Sequence, residues 1–157
     1  MKPLKNPYSQ YKDYNCFGCS PDNPIGLNLE FYENEEYITA QWTPDHNLEG
    51  FFNVLHGGIQ ATMLDEVASW VVFVKVGTAG MTSRMDVRYK RPVNIEDGPV
   101  TLRGKLVEMK RNIAVIKAEL LDSKGNICSY ADLHYYTFSN DQAKEKLYYP
   151  GVENFKS

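Results

Sequence analysis

The chain has 157 residues, of which 43% are hydrophobic and 24% charged, with a formal net charge of −3. That length carries one domain with a sizeable core, not two. The negative balance and the lack of a strong basic patch argue against a nucleic-acid binder, and the longest nearly apolar run, Val67 to Val74, is too short to span a bilayer. The first seven residues hold no apolar stretch, so no signal peptide is expected and a cytoplasmic location is the default. Three cysteines, Cys16, Cys19 and Cys128, do not make the disulfide framework of a secreted domain.

Residues 1–26 are rich in Pro, Asn, Tyr and Gly and read as an irregular lead-in with one short helix. Residues 26–32 alternate apolar and polar side chains, which predicts a half-buried strand. Residues 33–36 form a turn, and residues 37–42 pair back as a second strand. A loop over 43–55 carries Pro44, Asn47 and Gly50. Ile59, Met63, Val67, Trp70 or Val71, and Val74 then recur at helical spacing, with Ala61, Leu64, Ala68 and Val72 as a second apolar row. Gly77 is a suitable stop for this helix. Four strands follow, over 81–91, 100–109, 112–121 and 127–138, with a hairpin turn at 122–126. Residues 139–157 read as a polar tail, a short helix and a loose end.

Strand, strand, long helix, then four strands on short connections predict an α+β fold. An antiparallel sheet of about six strands wraps one central helix. The core domain is expected over 27–138. A single sheet covers only part of a helix that is apolar on most sides, so a second subunit is expected over the remainder.

Chemistry concentrates where this helix begins. His56-Gly57-Gly58 opens it, and first-turn N–H groups lack intrahelical partners. Glycine lets a ligand approach the backbone closely, and the helix dipole favours a developing oxyanion there. Asp65 sits inside the apolar helix with only Ala61, Thr62, Ala68 and Ser69 at three- and four-residue spacing. Small neighbours leave room beside a carboxylate that apolar packing alone would not place there. Glu66 is expected to be solvated or at an interface edge, though it could share the acid's role. His56 reads as a hydrogen-bonding residue that fixes the loop, and His46 and His134 as structural. Cys16 and Cys19 read as loop packing. A thioredoxin-type helix does not follow them, and a structural zinc would need a second pair.

These residues resemble the hotdog-fold acyl-CoA thioesterases of the PaaI (phenylacetic-acid-pathway) type. The pattern is His56-Gly57-Gly58, six residues, then Asp65, preceded by a Cys16-Phe17-x-Cys19…Asn23-Pro24-x-Gly26-Leu27 signature. The likeness covers roughly residues 14–138. It implies that Asp65 is the catalytic carboxylate, as base or nucleophile, and that Gly57 and Gly58 lie in the segment whose N–H polarises the thioester carbonyl. It implies that His56 supports that loop and that Thr82 lies near the attacking water. It also implies sites shared between subunits of a homodimer, or a dimer of dimers. Asn53, Glu66, Ser83, Arg84 and Arg91 complete the expected substrate-binding set. Arg88, Lys90, Arg103, Lys110 and Arg111 are further cations that could meet coenzyme A phosphates. Coenzyme A enters as part of the substrate, so no separate cofactor and no metal are expected. Many relatives carry Asn six residues before the His, where this chain has Gly50. That departure motivates an alternative, a non-catalytic acyl-CoA or lipid-binding module; a hotdog dehydratase ranks third.

Overall fold

Alternate apolar residues draw the second half of the chain into long strands in the computed structural model, which describes all 157 residues. These are β6 (Gly80–Tyr89), β7 (Val100–Lys110), β8 (Ile113–Leu121) and β9 (Ile127–Thr137). They are preceded by β1 (Lys2–Pro3), β2 (Tyr32–Glu33), β3 (Ile38–Trp42) and a small separate hairpin of β4 (Glu49–Phe51) and β5 (Val54–Leu55). The main sheet has seven strands in the order β1-β2-β3-β7-β8-β9-β6, every neighbouring pair antiparallel.

The central helix α1 (Gly57–Val71) lies across the inner face of this sheet. Met63, Leu64, Val67, Ala68, Trp70 and Val71 are buried against Leu102, Ile116, Leu120, Ala131 and Leu133. Gly104 sets how closely helix and sheet approach, because a Cβ there would lie 3.2 Å from Val71 Cγ2. The last helical turn widens into a π-helix (Val72–Val76). Gly77 ends it in the left-handed conformation (φ 83°), donating its N–H to the Val72 carbonyl at 3.0 Å. No helix is long and apolar enough to cross a membrane.

Three expectations change. The sheet has seven strands, because Lys2–Pro3 of the lead-in adds one at its edge. The strand expected over 26–32 shrinks to Tyr32–Glu33. Leu27, Leu29 and Phe31 are buried in alternation as the pattern requires, but their backbones bond the lead-in instead of a sheet partner. Leu27 N–H donates to Phe17 O at 2.8 Å and Leu29 N–H to Gly18 O at 2.9 Å, while Phe31 O accepts from Leu4 N–H at 2.9 Å. The tail is not loose either. After α2 (Asn140–Leu147), Tyr149 and Phe155 are buried, and Lys5 N–H donates to the Phe155 carbonyl at 2.8 Å. The Phe155 ring packs on Phe73 (5.1 Å between centroids) and edge-on to Trp70 (5.4 Å).

β6 is the last strand of the sheet, bonded to β9 along one side only. Its free edge carries the exposed Met81 and Tyr89.

Candidate active site

Asp65 lies on the flank of α1 that faces β6 and β9. It is half-buried, less enclosed than its place in an apolar helix suggested, because Ala61, Thr62 and Ser69 beside it are themselves half-exposed. Two hydroxyls hold its carboxylate. Thr82 Oγ1 donates to Asp65 Oδ1 at 2.7 Å, and Tyr135 Oη reaches the same oxygen at 2.5 Å and the Asp65 carbonyl at 2.8 Å. Thr82 and Tyr135 are direct cross-strand partners in the β6–β9 ladder, so both side chains project from the same face toward the helix. Burial, and then the Asp65 charge, raise the Tyr135 phenol far above its ordinary range, so it stays a proton donor.

The helix N-terminus is built by His56. Its imidazole Nδ1 accepts the Gly58 N–H at 2.8 Å, a side-chain cap. The Gly58 amide is therefore engaged, whereas no acceptor lies on the Gly57 N–H. Of the two glycine amides in the segment expected to polarise a carbonyl, only the Gly57 N–H has no acceptor within the chain. Tyr89, not anticipated, donates from Oη to the Gly57 carbonyl at 2.6 Å and fixes this turn. Gly50 packs against His56, where a Cβ would lie 3.1 Å from His56 Cα. A side chain at this position would press on His56.

Other expected residues have different partners. Asn53 does not face Asp65. It takes a left-handed φ of 59°, its Oδ1 accepts from Glu96 N–H at 3.1 Å, and its backbone N–H meets the Glu49 carboxylate. It shapes the loop before the helix. Ser83 falls at an irregularity in the β6–β9 register and donates to the His134 carbonyl at 3.0 Å, away from the acid. Among the cations, Arg88 pairs with Asp86 (3.0 Å), Arg103 with Glu119 (2.8 Å) and Lys110 with Glu108 (3.3 Å). Arg84 and Arg91 are exposed and form no ion pair.

Glu66 is not solvated. The lead-in folds over it, and Gly18 sits so close that a Cβ there would lie 2.5 Å from Glu66 Cδ. Cys16 Sγ is 3.4 Å from Glu66 Oε1 and 3.4 Å from Cys19 Sγ. Burial, then the neighbouring Cys16, push the Glu66 carboxyl up to about 8. A hydrogen bond from Cys19, then the backbone N–H groups of Cys19 and Gly18, lower the Cys16 thiol. The Cys19 thiol is raised by the same pairing and by burial. Loop packing therefore describes these cysteines incompletely: they and Glu66 form one cluster.

The Thioesterase superfamily model matches residues 52–129, the span holding the capped helix start, Asp65 and Thr82. A Haemophilus influenzae protein provisionally named an esterase is 24% identical over 111 residues, 69% of this chain and 78% of that protein. The crystal structure of RHA08564, a thioesterase superfamily protein, superposes with a TM-score of 0.69 at 24% identity, covering 76% of this chain but only 58% of that longer one. The protein smu.793 of Streptococcus mutans, solved bound to acetyl CoA, superposes with a TM-score of 0.68 at 14% identity, covering 83% of this chain and 97% of that one. The fold is therefore the hotdog fold, a seven-stranded antiparallel sheet wrapped around a long helix, and residues 52–129 carry the match to the thioesterase superfamily.

Proposed function

We propose that this protein is a thioesterase of that superfamily that hydrolyses an acyl- or aryl-CoA to the free acid and CoA. The observation that carries the reading is the Asp65 carboxylate, held by Thr82 and Tyr135 on an open flank of the helix, combined with an unengaged Gly57 amide at the helix start. Thr82 and Tyr135 donate to one oxygen and fix the carboxylate's orientation. Asp65 removes a proton from water, the resulting hydroxide attacks the thioester carbonyl, and the oxyanion is met by the Gly57 N–H and the helix dipole. Collapse of the tetrahedral intermediate breaks the C–S bond, and the CoA thiolate leaves with the proton that Asp65 took from water, which restores the carboxylate. That smu.793 was solved with acetyl CoA supports a CoA thioester as the substrate class.

The two parts do not serve one thioester within one chain. Gly57 and Asp65 are eight residues apart, about 12 Å along the axis at the α-helical rise. A carbonyl polarised at one and a water activated at the other need to be about 3 Å apart. A homodimer resolves this if Gly57 of one copy faces Asp65 of the other. The free edge of β6, with its exposed Met81 and Tyr89, is the surface we assign to that pairing. All three cysteines are unpaired, which fits the reducing cytoplasm.

The reading is tested by free-thiol release from a panel of short-, medium- and long-chain acyl-CoAs and aryl-CoAs. Turnover supports it and its best substrate names the acyl class; no turnover by folded protein on any member contradicts it. Two finer effects are expected. Tyr135→Phe removes one of the two hydroxyls on Asp65 and lowers kcat about tenfold, with a stability loss of about 1 kcal/mol in urea unfolding. An Arg84→Ala/Arg91→Ala double variant raises KM for the CoA ester roughly tenfold or more with kcat nearly unchanged, since a hydrogen bond to a charged group contributes about 1.5–3 kcal/mol. An equal KM for a phosphate-free thioester in the variant and the wild type identifies the phosphates as what those arginines bind.

A further inference from the structure

We propose that Cys16, Cys19 and Glu66 form a binding site for a thiophilic divalent cation such as Zn²⁺, which clamps the lead-in onto the central helix one residue from Asp65. The candidate ligand atoms all lie within 4.8 Å of one another. Cys16 Sγ is 3.4 Å from both Cys19 Sγ and Glu66 Oε1. A tetrahedral Zn²⁺ with bonds of about 2.3 Å to sulfur and about 2.0–2.2 Å to oxygen separates two sulfurs by about 3.8 Å and a sulfur from an oxygen by about 3.5 Å. The two separations from Cys16 Sγ need only a few tenths of an ångström of side-chain adjustment to reach that geometry. They are far longer than the roughly 2.05 Å of a disulfide.

Charge makes the same point. Three groups able to carry negative charge converge on one point, Cys19 buried and Cys16 and Glu66 half-buried, and Glu66 forms no ion pair with Lys, Arg or His. As two thiolates and a carboxylate they need a cation to share so small a space. The loop supplies an outer partner for a thiolate: Tyr14 Oη lies 2.9 Å from Cys19 Sγ. Such outer partners orient metal ligands. Two thiolates and one carboxylate select a borderline-soft cation over Mg²⁺ or Ca²⁺. All three residues also line a cavity of about 720 Å³ bounded by Tyr8, Tyr14 and Phe73. A fourth coordination position is therefore accessible to water or to a ligand entering the cavity. Glu66, from α1, supplies a third ligand in place of a second cysteine pair. On binding, the thiol protons and any carboxyl proton pass to solvent.

The site is independent of the acyl-CoA reading, and its test does not use turnover. Full-length protein, reduced and stripped with a chelator, is titrated with Zn²⁺ and separately with Co²⁺. The expected result is one Zn²⁺ per chain by elemental analysis and native mass spectrometry, a rise in Tm with Zn²⁺, and thiolate-to-cobalt charge-transfer absorption with the intense visible bands of a tetrahedral site. Cys16→Ser and Cys19→Ser are each expected to weaken Zn²⁺ binding by more than the roughly 10–100-fold that loss of an outer partner costs, and Glu66→Gln by at least about tenfold. Because the cobalt spectrum of the wild type reports thiolate ligation directly, a variant that fails to fold leaves the test intact. Absence of stoichiometric metal on the reduced wild type overturns the proposal. So does full retention of metal in a Cys16→Ser/Cys19→Ser double variant. Isolation of the reduced-lysate protein with a Cys16–Cys19 disulfide, two mass units lighter, would assign the pair to redox chemistry instead.

Discussion

Replacing Asp65 by Asn is expected to leave the fold intact and lower thioester turnover by about 10²–10⁴, the range a positioned base contributes. The carboxamide keeps an oxygen where Thr82 Oγ1 and Tyr135 Oη donate, so the contacts at 2.7 and 2.5 Å have a partner in the variant. What disappears is an oxygen that can take a proton from water. Stability in urea is expected to change by no more than about 1 kcal/mol. The effect falls on kcat with KM little moved, because the lost interaction belongs to the transition state. Turnover within about threefold of wild type would move the chemistry away from Asp65. Glu66 would not readily take over, since its carboxyl is turned into the Cys16–Cys19 cluster.

The largest stability effect is expected from a residue far from this chemistry. Phe155→Ala removes a fully buried ring (0% exposed) that packs against Trp70, Phe73, Tyr149 and Tyr8. Truncating such an aromatic costs about 3–5 kcal/mol through lost transfer energy and the cavity left behind. The Phe155 carbonyl also accepts the Lys5 N–H, and Leu4 bridges Lys156, so tail and lead-in should loosen together. Hydrogen exchange in the variant is expected to accelerate at both ends of the chain before the β7–β9 strands respond. A loss below about 1 kcal/mol would mean that the tail contributes little to the core.

Much of this architecture was readable from periodicity. The strands over 81–91, 100–109, 112–121 and 127–138 begin and end within two residues of β6–β9, because their hydrophobic alternation and turn residues agree. The long helix was as legible, since Gly77 has the left-handed φ that a C-terminal glycine supplies. Residues 26–32 misled for a physical reason. Burial alternates there without a ladder, because residues 17 and 18 of the lead-in accept the backbone bonds. Periodicity reports which side chains are buried, not where the N–H groups go. Likewise Phe155 and Tyr149 are isolated aromatics in a polar tail, and their burial depends on a surface assembled from Tyr8, Trp70 and Phe73.

At the candidate site, Asp65, Thr82 and His56 came from local pattern and resemblance. Tyr135 did not, because only the register that pairs it with Thr82 brings it to the carboxylate. The signal for Tyr135 lies in the β6–β9 register alone. Tyr89 was hidden in the same way, its hydroxyl reaching the Gly57 carbonyl across 32 residues of chain. The tie between Cys16 and Glu66 spans 50 residues and has no local signature at all.

In the proposed thioesterase site two copies meet, with Asp65 from one and the Gly57 amide from the other. It is tested most directly by complementation between two inactive variants, Asp65→Asn and Gly57→Pro. Proline is tolerated at a first helical position, where a ring carbon replaces the N–H, and a Cβ at Gly57 meets nothing closer than 3.5 Å. Each variant alone is expected to release little thiol from the best acyl-CoA. Co-refolded in equal amounts, they should regain roughly a quarter of wild-type activity, the share of intact sites from random pairing of subunits. No recovery, with mixed dimers present by native mass spectrometry, would contradict the shared site.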